Sequence, residues 1–312
     1  MQTNFNANRN YIDMNKSNEI LVSICCITYN HELYIRDAIN SFLSQVVNFK
    51  YEIIIHDDAS SDGTAKIICE YEARYPELLR CIYQKSNQYS LGNKPFQSFV
   101  VPYARGKYIA ICEGDDYWTD PYKLQKQIDF LEMNDDYVMC YSDAIIRLGD
   151  VFLDDVTEGY KGDLNSEELQ RSPNINTLTV CFRNIFRGQP EFALAKYEDR
   201  AMWSYLGHYG KGKYLSSIKP SVYRVHSDGI HSSASLDERC KMEFVTYVAL
   251  YVYYERINND ELKLFFFKKL TESILCYYKI SPRIINVMRI ISACGRFLFS
   301  KMRKAKIFLG HD

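Results

Sequence analysis

The sequence lacks the marks of several large functional classes. No run reaches about 18 apolar residues, so no segment reads as a membrane-spanning helix. The first twenty residues are polar and rich in Asn, so no secretory signal peptide is expected there. Ten cysteines are present, but none stands in a paired metal-binding spacing. Cys25 and Cys26 adjoin, and the others sit singly in apolar runs. Buried free thiols in a reducing cytosol are the expectation. A net charge of −1 offers no nucleic-acid signature, and no nucleic-acid partner is expected. There is no G-x-G-x-x-G and no P-loop, which disfavours a dinucleotide-binding Rossmann site. Internal repeats and low-complexity segments are also missing.

What is present is a chain of 312 residues, long enough for one large α/β domain with a sizeable core and an appendage. Tyr occurs 26 times. Tyrosine supplies flat amphipathic surface that suits sugars and nucleotides, although many tyrosines are half-buried packing.

Residues 1–19 read as a polar lead. Leu21 to Thr28 is a short apolar run that suits a strand buried on both faces. Tyr34/Ile35, Ala38/Ile39 and Phe42/Leu43 recur at helical spacing. Tyr51 to Ile55 is a second strand, and Ser61-Asp62-Gly63-Thr64 turns into a helix carrying Ile67, Ile68 and Tyr71. Leu79 to Tyr83, Lys107 to Cys112 and Tyr137 to Tyr141 are further strands, with a polar loop at Ser86 to Pro95. Asp120-Pro121 predicts a helix start, with Asp as cap and Pro at the first position. Thr177 to Arg183 alternates like a strand. This alternation of strand and helix predicts an α/β fold with one mostly parallel sheet flanked by helices. Ligands of such sheets lie beyond the carboxyl ends of the strands.

Three predicted strands end in polar residues: Thr28-Tyr29-Asn30, Asp57-Asp58 and Glu113-Gly114-Asp115-Asp116. Adjacent carboxylates repel and raise each other's pKa. A divalent cation relieves that, and Mg²⁺ or Mn²⁺ typically takes one or two carboxylates and completes its shell with substrate phosphates. Asp115 and Asp116 suit such a site; a solvated turn is the plain alternative. Asp58 can accept a hydrogen bond from a uracil or guanine ring N–H, or the segment from Asp57 to Ser60 can cap the next helix. His56 is expected to point into the sheet or its flank.

The segments LVSICCITYNHELYIRDAINSFLSQ, YEIIIHDDASSDGT and ARGKYIAICEGDDYW, in that order and spacing, resemble family-2 glycosyltransferases of the GT-A fold, particularly bacterial members that build surface polysaccharides. The likeness covers residues 21 to about 230. It implies a nucleotide-sugar donor, by default UDP-linked, a saccharide or lipid-linked acceptor, and Mn²⁺ or Mg²⁺ as cofactor. It assigns Tyr29 and Asp58 to the base, Asp115 to ribose and metal, and Asp116 to the metal as its main ligand. Ile27 departs from a common Pro or Thr, leaving only its backbone for a base contact. Glu113 departs from a commoner Asp.

Inverting transfer needs a carboxylate opposite the leaving diphosphate. Asp199 in Tyr197-Glu198-Asp199 is the candidate, and the resemblance points to the same pair. The alternative is that Glu198 and Asp199 simply favour a helix N-terminus. Trp203, one turn later, lines the acceptor pocket or packs in the core. Tyr223-Arg224-Val225-His226 resembles the family's late Y-R-x-H segment. His226 is a candidate metal or diphosphate ligand, and Arg224 a phosphate contact or a brace. His231 lies close by.

The expected layout is a lead at 1–19, a glycosyltransferase domain at 20–235 (nucleotide half 20–142, acceptor half 143–235) and a helical extension at 236–312. From residue 263 onward basic residues are frequent and the only acids are Glu272 and Asp312. Residues 262–309, with amphipathic stretches such as Ile284 to Phe299, suit an anionic membrane surface, a second copy of the chain, or simple packing. The expected location is cytoplasmic, peripheral on the inner membrane face. A non-catalytic nucleotide-sugar binding or scaffold protein is the alternative to an enzyme.

Overall fold

The computed structural model describes residues 19–153, 159–227, 229 and 234–277. The chain divides into two compact units, one formed by Met1–Ala193 and Tyr197–Ser233, the other by Leu194–Lys196 and Ala234–Asp312.

The first unit is built on a seven-stranded sheet. Its strands are β1 (Ile20–Thr28), β2 (Lys50–Asp57), β3 (Leu79–Tyr83), β4 (Tyr108–Ile111), β5 (Tyr137–Tyr141), β8 (Cys181–Arg183) and β9 (Lys211–Tyr214), in the order β3-β2-β1-β4-β8-β5-β9. The block β3-β2-β1-β4 is parallel throughout. β8 runs antiparallel to both β4 and β5, and β5 is parallel to β9. The sheet is therefore mixed but mostly parallel, as the alternating pattern predicts. β1 is buried from Val22 to Cys26, with Val22, Ile24 and Cys26 in the main apolar core. α1 (Ile35–Leu43) returns the chain from β1 to β2 and buries Ile35, Ala38, Ile39 and Phe42. α2 (Thr64–Arg74) does the same between β2 and β3 through Ile67, Ile68 and Tyr71. α3 (Lys123–Met133) packs Leu124, Ile128 and Leu131 inward. Six of the eight described cysteines are buried, and all eight are free thiols.

Three features depart from the sequence expectation. α3 begins at Lys123 rather than at Pro121. Asp120 still caps the turn ahead of it: its carboxylate accepts from the Tyr122 N–H at 2.9 Å, and also from the Lys126 ammonium at 2.8 Å and the Lys219 N–H at 3.0 Å. Only Cys181–Arg183 of the alternating segment is a strand; Thr177–Thr179 is a single 3-10 turn whose Leu178 carbonyl accepts the Trp118 indole N–H at 2.8 Å. A second, three-stranded sheet is also present, in the order β10-β6-β7, from β6 (Ala144–Leu148), β7 (Val151–Leu153) and β10 (Ser221–Val225). Local alternation does not reveal it, because its central pair joins strands more than seventy residues apart.

α4 (Ser166–Gln170) and α5 (Glu198–Leu206) complete the described helices of this unit. The second unit holds α6 (Leu236–Arg256), opened by a capping box between Ser235 and Glu238, and α7 (Asp260–Tyr277). Tyr254 stacks on Phe266 at 5.5 Å, and Tyr251 meets Phe267 at 6.1 Å. The lysines of α7 are paired with acids: Lys263 with Glu255 at 3.0 Å and Lys269 with Glu272 at 3.2 Å. Residues 278–309 of the basic stretch, and His231, lie outside the described residues.

Candidate active site

The parallel strands β1, β2 and β4 bring their carboxyl ends to one edge, and backbone bonds hold the three polar segments together there. The Asp58 N–H donates to the Thr28 carbonyl at 3.0 Å, and the Gly114 N–H to the Ile27 carbonyl at 3.0 Å. Asn30 turns the chain in the left-handed region (φ 54°), which Asn tolerates. Its N–H donates to Ser60 Oγ at 2.8 Å, and its side-chain carbonyl accepts from the Ser61 N–H at 2.8 Å. The Tyr-Asn and Asp-Asp-x-Ser segments thus grip each other. Gly114 is required by close approach: a Cβ there would lie 2.5 Å from Thr28 Oγ1 and 3.0 Å from His31 Nδ1.

The acidic run splits at Gly114. Asp116 is buried and its Oδ1 accepts the Arg224 N–H at 2.8 Å. Asp115 Oδ2 lies 3.1 Å from His226 Nε2 and 3.7 Å from His31 Nε2. β10 delivers Arg224 and His226 because it is bridged to the acidic loop through the antiparallel pair Tyr117 and Val222. Burial alone would raise the Asp115 pKa, but the hydrogen bond to His226 and the charges of His31 and His226 hold it below the usual carboxylate range. Asp116 is pushed well up, first by burial and then by Asp115 and Glu113.

Burial first, and then the charges of Asp115 and Asp199, raise the Glu113 pKa to about 7, opposed by a hydrogen bond to Thr177. Its Oε2 has no hydrogen-bond partner among the described residues. Glu198 and Asp199 occupy the first turn of α5. Burial raises both: Glu198 to about 7, with Lys94 opposing and Asp199 adding to the rise, and Asp199 upward with Arg200 opposing.

Several expected roles change with this geometry. The metal expectation rested mainly on Asp116. That side chain is instead turned inward to the backbone of β10, and the donor group that closes up is His31, Asp115 and His226, with one ligand atom from each, all within 4.8 Å of one another. Arg224 is only 7% exposed, and its guanidinium is committed to Asp37 and to the Asp115 carbonyl. It braces the loop. Trp203 is fully buried, edge-on to Phe182 of β8 at 6.1 Å, which makes it core and leaves no face for an acceptor. The Ile27 carbonyl is already taken by Gly114. Both Asp58 oxygens accept backbone N–H groups, from Gln88 at 2.7 Å and Tyr89 at 3.0 Å. A base contact at Asp58 would share or exchange one of these. Tyr29 is exposed at the same edge, and His56 is buried in the sheet, stacked on Phe99 at 5.4 Å.

His31 is the residue the sequence reading missed. Its signal was the spacing His31, Tyr34, Asp37, three residues apart across the start of α1, which places them along one side of the helix entry.

A sequence model described as Glycosyl transferase family 2 matches residues 23–189. The chain belongs to that family. Among curated relatives of this family-2 chain, an uncharacterized protein of Mycobacterium tuberculosis is 36% identical over 223 residues, covering 70% of this chain and 62% of the relative. The chain thus spans about 62% of the length of that relative. The UDP-Glc:alpha-D-GlcNAc-diphosphoundecaprenol beta-1,3-glucosyltransferase WfaP of Escherichia coli is 29% identical over 215 residues, 68% of this chain and 80% of that protein. The solved mannosyltransferase PcManGT of Pyrobaculum calidifontis, in complex with GDP-Man and Mn²⁺, superposes with a TM-score of 0.56 at 13% identity, over 93% of this chain and 88% of that one. That likeness is one of fold. Among the described residues, no helix is long and apolar enough to cross a membrane.

Proposed function

We propose that this family-2 chain is an inverting glycosyltransferase, moving a sugar from a UDP-sugar to a hydroxyl of a glycan or lipid-linked saccharide. One juxtaposition carries the reading. The acidic run brings the Asp115 carboxylate against the imidazoles of His31 and His226, which gives a cation-binding pole beyond the end of β4. The carboxylates of Glu198 and Asp199, in the first turn of α5, supply the proton-accepting group.

The donor group of His31, Asp115 and His226 fits a divalent cation, since two imidazoles and a carboxylate already converge. Two nitrogen donors suit Mn²⁺ better than Mg²⁺, which prefers oxygen. When bound, such an ion supplies Lewis-acid stabilisation of charge on the diphosphate oxygens. Tyr29 and Asp58 are assigned to the nucleoside, with Ile27 holding the strand end beside them. Asp199 takes the proton of the attacking hydroxyl as the acceptor oxygen bonds to the anomeric carbon and the bond to the diphosphate breaks. Its raised pKa favours that proton transfer. Glu198, beside it, orients the acceptor. The UDP carrier and the undecaprenol-linked acceptor are supported by the Escherichia coli relative, a UDP-Glc-dependent glucosyltransferase acting on a diphosphoundecaprenol-linked sugar by its name. Metal use is supported by the Mn²⁺ complex of the archaeal fold neighbour. A lipid-linked acceptor would bring the enzyme to the inner membrane face.

The deciding experiment incubates the purified chain with a panel of nucleotide sugars and Mn²⁺ or Mg²⁺, scoring thermal shift and release of nucleoside diphosphate. One nucleotide sugar is expected to raise the melting temperature and to be turned over in the presence of Mn²⁺. Release of no diphosphate with any donor, with or without saccharide acceptors, would sink the reading.

A further inference from the structure

The side of α1 that carries Tyr34 and Asp37 meets the end of β10 in a single interlocked layer. The Tyr34 ring lies between the His226 ring at 4.7 Å and the Arg224 guanidinium at 5.3 Å. The guanidinium is also 4.5 Å from the Tyr117 ring. It donates to the Asp37 carboxylate and, at 2.8 Å, to the Asp115 carbonyl. The backbone N–H of the same residue donates to Asp116 Oδ1 at 2.8 Å. Arg224 and His226 are two residues apart at a strand end, so they leave the chain on the same side. One arginine therefore touches the backbone of Asp115, the carboxylate of Asp116 and the tyrosine that packs on His226. A guanidinium that bonds Asp37 and the Asp115 carbonyl and lies against two tyrosine rings is suited to holding the loop.

We propose that Arg224, with Asp37 as its counter-ion, is a positioning residue that sets the geometry of the His31, Asp115 and His226 donor group and does not itself bind diphosphate. This rests on the metal-side reading given above. Partners in the shell outside a metal's ligands fix ligand orientation, and losing one typically costs metal affinity. Asp37 is half exposed, so solvent screens its pair and its share is the smaller one.

The test titrates the purified full chain with Mn²⁺ alone, reading free Mn²⁺ by electron paramagnetic resonance, with thermal melting as a check on folding. Arg224→Gln is expected to weaken Mn²⁺ binding about 10–100-fold, and Asp37→Asn about 3–10-fold. The double variant should be no weaker than Arg224→Gln alone, because the two act as one unit. Asp37→Glu should restore most of the loss, and this exposed position keeps the test alive if Arg224→Gln does not fold. Unchanged Mn²⁺ affinity in Asp37→Asn and Arg224→Gln, or strictly additive losses, would overturn the proposal. So would Arg224→Gln losing UDP affinity in chelator while keeping Mn²⁺ affinity, the mark of a direct diphosphate contact. A wild-type chain that binds no Mn²⁺ would instead remove the metal reading itself, and this proposal with it.

Discussion

Asp115 and Glu113 are two residues apart and carry the same functional group, yet they live in opposite surroundings. Asp115 meets two imidazoles, and its pKa stays below the carboxylate range despite burial. Glu113 is raised first by burial and then by the charges of Asp115 and Asp199, and its pKa climbs to about 7. The difference shows how one acidic loop acquires two chemistries. Environments that push like groups apart mark where charge is kept and where a proton is held. Gly114 lets the loop between them press against Thr28 and His31.

The largest expected effect tests the proton-accepting side. Asp199→Asn should keep nucleotide affinity and lose about 10²–10⁴-fold in turnover, measured as single-turnover rate at saturating donor. Unchanged turnover would remove Asp199 from the reaction. On the other side, Asp115→Ala should abolish Mn²⁺ binding seen by calorimetry, and chelator should weaken donor binding by the wild type. If chelator leaves donor affinity untouched, the contrast between the two sides has no metal in it.

Next comes the energetics of the buried glutamates. Glu113 and Glu198 hold their protons to about pH 7, against an ordinary value of 4.5. The folded chain then binds more protons than the unfolded chain between those limits. Their stabilising contribution is fully present below about pH 4.5 and is lost as pH rises through about 7. Glu113→Gln should flatten that fall, raising the melting temperature at pH 8 by about 2–4 °C relative to wild type. A wild type and variant with parallel melting curves across pH 5–8 would show that Glu113 is not held protonated. The smallest change is Gly114→Ala. Its added methyl should lower the melting temperature and weaken Mn²⁺ binding together, because the neighbours are a buried threonine and a donor histidine. Full retention of both would show that the loop has room the geometry denies it.

Much of the fold was legible in the chain because its signals are local. Continuous apolar runs at Leu21 to Thr28 and Tyr51 to Ile55 need cover, and the periodic stripes of α1 and α2 supply it on the face of Val22, Ile24, Cys26, Ile53 and Ile55. The three polar strand ends were legible for the same reason, since parallel strands must bring their carboxyl ends to one edge. The antiparallel insertion of β8 and the second sheet were not legible. The alternation over Thr177 to Arg183 marks a strand but not its direction or its neighbours, and β10 pairs with β6 more than seventy residues away.

The sequence by itself determined which carboxylates stand at the strand ends and that an acidic pair opens α5, because composition and spacing are properties of the chain. Only the tertiary structure decided what each carboxylate faces. His31 enters the donor group, Asp116 turns inward and Arg224 becomes a brace because β10 pairs back onto the acidic loop from more than one hundred residues away, and Trp203 becomes core because α5 sets it against Phe182 of β8. A carboxylate's role is set by the charges and solvent around it, and those are supplied by whichever distant segment the fold brings alongside.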